Sequence, residues 1–183
     1  MADLTTLAKV KEYLGIGDTL TDAVLTTLVT QVSAVVEAHC RRTFADTNYT
    51  EYHDGDRALK IPLRQYPIIS VTSVHEDTAR AFGASALISS DDYTFSGPDG
   101  VLRFDARQPR GNRNIKVVYR AGYATIPRDV ELAANKWVAR TFNLRKSDGA
   151  SSESLGNYSA SYEIGSVPSD VAALLAPYVM MES

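Results

Sequence analysis

The chain has one cysteine, one tryptophan and three histidines among its 183 residues. Cys40 alone closes no internal disulfide, so the fold must be held by packing, and a lone thiol fits a reducing compartment. No apolar run approaches the ~18 residues that span a bilayer, and the start, Met1-Ala2-Asp3-Leu4-Thr5-Thr6, has no basic stretch leading into an apolar one. The expectation is a soluble chain that is not exported, with no membrane partner. His39, His53 and His75 stand far apart, without the H-x-x-x-H or C-x-x-C spacing that gathers a zinc ion, and His39 reads as a packed residue at a helix end. Asp54-Gly55-Asp56 opens like a calcium loop, but Leu59 and Gln65 stand where such a loop needs glycine and glutamate, so a solvated turn is the better reading. Asp91 and Asp92 would point to opposite sides of an extended chain, which suits a strand start better than an acid/base pair. No G-x-S-x-G elbow surrounds the serines at 151–154, and no glycine pattern cradles phosphate. Without these, the expectation is a protein that is not an enzyme and needs no cofactor or metal.

What is present is a core-forming composition, 44% hydrophobic. A chain of this length buries roughly 70% of its unfolded surface, enough for one domain. The spacing predicts α+β architecture, mainly α, with helices over about 4–14, 19–42 and 127–145 and a β region over about 49–120. Leu4, Leu7 and Leu14 share a stripe that Gly15 ends, and Leu25, Leu28, Val32 and Val35 or Val36 mark a second helix closed by Arg41 and Arg42. These two form an N-terminal helical hairpin that needs a further element to pack on. The period then changes to two. Leu59–Leu63 and Ile69–Val74 alternate around Pro67, with Pro62 confining the first run to an edge or strand end. Asp92–Phe95 and Val101–Phe104 flank Ser96-Gly97-Pro98-Asp99-Gly100 as a hairpin, and Ile115–Tyr119 is the last strand of a small, mostly antiparallel sheet. Ala79–Ser90 reads as a long loop within it. Pro127 opens the long third helix, whose apolar face reads Val130, Ala134, Trp137, Thr141 and Leu144, with Trp137 in the core. Beyond a polar stretch at 147–154, expected to be mobile, Tyr158–Tyr162 alternates as a short strand and Pro168-Ser169-Asp170 starts a last helix that Pro177 breaks. The expected division is a core over 1–146 and a C-terminal docking extension over 147–183, whose deletion should leave a folded domain.

Charge is distributed in blocks. Residues 103–146 carry eleven basic and three acidic side chains, whereas 1–102 carry eight and fourteen, and 147–183 carry five acidic and no basic ones. Blocks of opposite sign suit copies or partners that meet positive face to negative face. The Arg-rich stretch Arg103–Lys116 could also neutralise phosphates, but the net charge is −3 and no helix-turn-helix or RNA-binding aromatic signature accompanies it. A solvated loop or an inter-subunit basic patch of Arg103, Arg107, Arg110 and Arg113 is preferred. In the C-terminal extension, Tyr158, Tyr162, Leu174, Leu175, Pro177 and Tyr178 are too apolar for a free tail and mark a docking element for another protein.

The order of these parts resembles the head-tail connector (head-completion adaptor) family of tailed bacteriophages. The resemblance is carried by Leu7 to Ile16 (Leu-x-x-Val-Lys-x-Tyr-Leu-Gly-Ile), Glu37-Ala38-His39-Cys40-Arg41-Arg42-Thr43-Phe44, Tyr66-Pro67-Ile68-Ile69-Ser70-Val71-Thr72-Ser73-Val74, and Val118-Tyr119-Arg120-Ala121-Gly122-Tyr123 followed by Ile126-Pro127-Arg128-Asp129-Val130. Glu153 to Tyr162 followed by Leu174 to Tyr178 completes it. It implies a structural virion protein, made in the host bacterial cytoplasm, that forms a homo-oligomeric ring of twelve copies beneath the portal protein. Such a ring extends the DNA channel, lets DNA pass without specific binding, and offers a platform to tail or stopper proteins. The family's portal-binding C-terminal part maps to roughly Ser147–Met181 and so to the six docking residues above. Three other readings remain: a tail-completion or terminator protein, which would be dominated by sheet, a nucleic-acid-binding regulator using 103–116, and a small hydrolase for which no substrate can be named.

Overall fold

The computed structural model describes residues 2–145, 152–155, 158–161 and 167–180. It is an α+β fold that divides into two compact units, Met1–Arg42 with Ile126–Ser183 and, inserted between them, Thr43–Thr125.

The first unit is helical. Helix α1, Leu7–Leu14, starts where the Thr6 hydroxyl accepts from the Lys9 N–H, and ends at Gly15, which takes the left-handed conformation (φ 68°). Only glycine takes it without strain from a Cβ. The Ile16 N–H then reaches back to the Lys11 carbonyl, satisfying one of the open acceptors at the helix end. Helix α2, Asp22–Cys40, begins and ends inside the expected limits, because Arg41 turns left-handed (φ 54°) and the Arg42 N–H closes on the Glu37 carbonyl. Its buried face is Leu25, Val29, Val32, Ser33, Val36, Glu37 and Cys40. Among the described residues α2 is the one helix long and apolar enough to cross a membrane, although no unbroken apolar run stands in it. Its packed valine face is that of a core helix.

Helix α3, Arg128–Leu144, packs on both α1 and α2. Its buried residues are Val130, Ala133, Ala134, Asn135, Val138, Ala139 and Phe142, a stripe rotated from the expected one. Trp137 is half-buried rather than core. The reason is steric: three alanines on this face let helix backbones approach closely, and an indole among them would hold them apart. Buried polar ties fix the register. Thr5 donates its hydroxyl to Asn135 Oδ1 at 2.6 Å, and the Leu4 N–H donates to Ser33 Oγ at 2.9 Å. Helix α4, Ser169–Leu175, runs on into a 3-10 turn over Ala176–Tyr178 and lays Val171 and Leu175 against α3. The last helix therefore belongs to the same unit as the hairpin. A deletion of 147–183 would remove Val171 and Leu175 from α3.

The second unit is built on strands β1 Thr47–Gly55, β2 Lys60–Pro62, β3 Ile68–Glu76, β4 Leu87–Ile88, β5 Tyr93–Ser96, β6 Val101–Phe104 and β7 Gly111–Ala121. They form two antiparallel sheets, in the orders β1-β7-β3-β4 and β2-β6-β5. Inward residues of both, among them Ile61, Ile68, Val74, Leu102, Phe104, Ile115, Val117 and Tyr119, make one core. β2 is an edge strand ending at Pro62, where the missing N–H interrupts no ladder. The expected long loop after β3 is ordered by Asp77, whose carboxylate accepts from the N–H groups of Ala79, Ala81 and Phe82 before the chain returns as β4. Those backbone donors hold the Asp77 carboxyl below its usual range. β7 begins at Gly111, so half of the expected basic loop is strand.

A further antiparallel pair, β8 Ser152–Leu155 and β9 Tyr158–Ser161, lies in the C-terminal part. The polar stretch expected to be mobile thus includes a strand, and its remainder, 147–151, lies outside the described residues, as do Tyr162 and Met181.

Candidate interaction surfaces

The basic stretch is mounted on a rigid base. Buried Asn114 on β7 accepts from the Gly55 N–H at 2.7 Å and donates to the Pro109 carbonyl at 3.0 Å, tying β1 to the turn that leads into β7. No side chain fits at residue 55: a Cβ there would stand 1.9 Å from the Pro109 carbonyl oxygen and 2.9 Å from the Asn114 amide. The Asp54 carboxylate accepts from the Arg113 N–H at 2.7 Å and Asp56 from Ala58 at 2.7 Å, so this acidic pair serves turn geometry. No group of three or more His, Cys, Asp or Glu able to hold a metal ion occurs among the described residues.

Arg103, Arg107, Arg110 and Arg113 are all exposed on this base, Arg103 from β6 and the others from the turn and the start of β7. The Arg113 guanidinium lies 5.1 Å from the centroid of the Tyr52 ring, and Lys116 lies 5.8 Å from that of Phe82. The two rings are 5.5 Å apart, making a small aromatic and cationic cluster that sequence spacing does not reveal. The positive block of the sequence is divided between the two units. Arg103 to Arg120 belong to the second unit, which carries ten basic and ten acidic side chains, and Arg128 to Lys146 belong to the first. Arg120 is moreover held in a two-pronged pair with Asp46, at 2.6 and 2.5 Å, which lowers the carboxyl's pKa and raises that of the guanidinium.

The second unit also holds a largely buried carboxylate. Glu51 accepts from the Tyr119 hydroxyl, from the Arg64 N–H at 3.2 Å and lies 3.0 Å from His53 Nε2. The Gln65 N–H donates to the Tyr119 oxygen at 3.1 Å. Burial alone would raise the Glu51 pKa, but hydrogen bonds from His53, Tyr119 and Arg64 outweigh it and the net direction is down. Burial, followed by the Glu51 carboxylate, pushes the Tyr119 phenol up. The network has the ingredients of an acid/base site, but Tyr119 is fully buried and its partners are structural. The one thiol, Cys40, is fully buried and raised by that burial to about 11, so it is a core residue rather than a nucleophile.

Of the expected docking residues, Tyr158 opens β9, Leu174 and Tyr178 are half-buried, Pro177 is exposed and Leu175 is completely buried in its own unit. The Tyr178 hydroxyl donates to the Asp129 carboxylate, at 2.8 Å from either oxygen, and the Met180 N–H donates to the Cys40 carbonyl at 3.1 Å. Leu174, Leu175, Pro177 and Tyr178 follow one another along α4 and the turn after it, with Leu175 as their anchor, whereas Tyr158 stands apart on β9 and Tyr162 lies outside the described residues.

The fold is shared with chains in the solved structures of a phage-like particle. It is similar to a chain in the neck of an empty GTA particle computed with C6 symmetry (TM-score 0.65, 15% identity, 98% of this chain and 91% of that one). Similar chains occur in the virion of the native gene transfer agent particle (TM-score 0.61, 17% identity, covering 100% and 96%) and in the neck of the native GTA particle computed with C12 symmetry (TM-score 0.61, 16% identity, covering 100% and 96%). No curated protein matches. The family model described as Head completion protein matches residues 3–181, and the chain belongs to that family.

Proposed function

We propose that this protein is a head-tail connector adaptor: a ring of copies, twelve in the assembled particle, that sits beneath the portal, continues the DNA channel and presents a platform to tail or stopper proteins. The observation that carries this reading is the family match over nearly the whole chain. The likeness to chains of a particle neck computed with C12 symmetry supports the copy number. A ring requires two different patches on each copy that fit one another, a heterologous contact that closes. The exposed arginines on the Asn114-braced turn supply one such patch, with acidic surface of the neighbouring copy as its complement. The portal-facing element is the C-terminal part, with Leu174, Pro177 and the outer edge of Tyr178 making contact while Leu175 holds α4 in place. The channel wall must not grip its cargo, so acidic side chains line it, and the protein acts in the virion by shape and transforms no molecule.

The test is native mass measurement of the purified protein with and without assembled portal rings. The expected result is a complex holding as many adaptor copies as portal subunits. A protein that stays unbound, or that forms a tight, salt-sensitive complex with duplex DNA instead, overturns the reading.

A further inference from the structure

We propose that the pocket enclosed by α1, α3 and α4 is a docking socket for an acidic polypeptide segment, one that carries an apolar side chain next to its carboxylate. The cavity has a volume of about 380 Å³ and lies wholly within the first unit. That is room for one large side chain and a carboxylate, not for a folded element. Leu14, Ala139 and Val171 give it an apolar floor, and Tyr13, 48% exposed, forms a wall whose ring an apolar side chain can cover.

The polar side of the socket selects the charge. Lys136 is already engaged: its ammonium lies 2.9 Å from Asp170, and that pairing raises the Lys136 pKa and lowers that of Asp170. Arg140, one helical turn further along α3, lines the same cavity half-buried and makes no hydrogen bond or ion pair with any described residue. A guanidinium presents a planar fork of donors that a carboxylate satisfies two at a time, and half-burial makes an unmet fork costly. With Asp170 spent on Lys136, the described lining of the socket has one positive charge in excess, so a basic or neutral segment would leave Arg140 unmet and an acidic one would not. Asn143, on the next turn, adds an amide that can donate to the second carboxylate oxygen or to the backbone of the occupant. The rim is exposed, with the Asp170 side chain 54% accessible, so the occupant gains apolar burial by extending across the rim. A chain segment does this and a small free carboxylate does not. The inference concerns unit 1 alone and does not depend on ring formation.

The experiment titrates the full chain with the peptide acetyl-Glu-Leu-Glu-Leu-amide and with its neutral counterpart acetyl-Gln-Leu-Gln-Leu-amide, following the backbone amides of Tyr13, Asn143 and Val171 by NMR. The acidic peptide should shift these amides saturably and bind at least about tenfold more tightly than the neutral one, a margin that salt reduces. R140Q should abolish the preference while leaving the rest of the spectrum in place, and R140K should keep part of it, since the charge remains without the fork. Equal binding of the two peptides, no saturable shift at these amides, or an undiminished preference in R140Q overturns the proposal. Because the measurement uses the isolated chain, its failure leaves the connector reading intact, and failure of portal assembly leaves the socket intact.

Discussion

Replacing Tyr119 by Phe removes one hydroxyl from the centre of the inserted unit and nothing else. In the native protein that hydroxyl donates to Glu51 on β1 and accepts from the Gln65 N–H, so it joins the central strand β7 to β1 and to the segment between β2 and β3. The variant loses a hydrogen bond to a charged group and leaves the Gln65 N–H without its acceptor, at a cost of about 2–3 kcal/mol. For a chain of this size that lowers the melting temperature by about 4–12 °C. The pH dependence identifies the mechanism. Glu51 has a folded-state pKa below its unfolded value, so its contribution is complete above the ordinary carboxyl range and disappears as pH falls through the lowered value. Tyr119 has a raised folded-state pKa, so its contribution is complete below the ordinary phenol range near 10 and is lost as pH rises beyond it. Thermal melts of wild type, Y119F, E51Q and the double variant across pH should give a dome that Y119F flattens on its alkaline side. The double variant should cost clearly less than the two single changes taken separately. Unchanged melting in Y119F, or additive effects in the double variant, would refute the argument.

Phe142→Ala should cost about 3–5 kcal/mol, as for a fully buried aromatic, and Trp137→Ala less than half as much, which chemical denaturation of the two variants compares directly. Gly55→Ala forces a methyl into the Pro109 carbonyl and should destabilise by about 3 kcal/mol or more, read as a lowered melting temperature or loss of soluble protein. Charge reversal of the exposed Arg107 and Arg110 should leave stability within about 0.5 kcal/mol but reduce the number of copies recovered on portal rings. Full recovery would place the inter-subunit contact elsewhere.

Sequence alone determined the helices and the strands with clear alternation, because periods of 3.6 and 2 are local properties, and the stops at Gly15 and Pro62 act within a few residues of themselves; β1, β4 and β8 carry no such signal and were not foreseen as strands. It also carried the family, through an ordered series of short phrases rather than any one motif. It did not determine which stripe of α3 faces inward. Val138 and Phe142 displaced Trp137 because the choice rests on how closely α2 and α4 approach, and that is a property of the packed unit. Nor did it reveal that α4 completes the helical unit, since the burial of Leu175 depends on a helix some thirty residues earlier. Charge pairing was also decided by the fold: the eleven cations of 103–146 are shared between the two units, and Arg120 and Lys136 are drawn into pairs with Asp46 and Asp170. Glu51 and Tyr119 stand 68 positions apart, and only the antiparallel pairing of β1 with β7 brings them within a hydrogen bond. Linear spacing reports torsional preference and local amphipathicity, whereas contact between distant side chains exists only after the sheets and helices have closed.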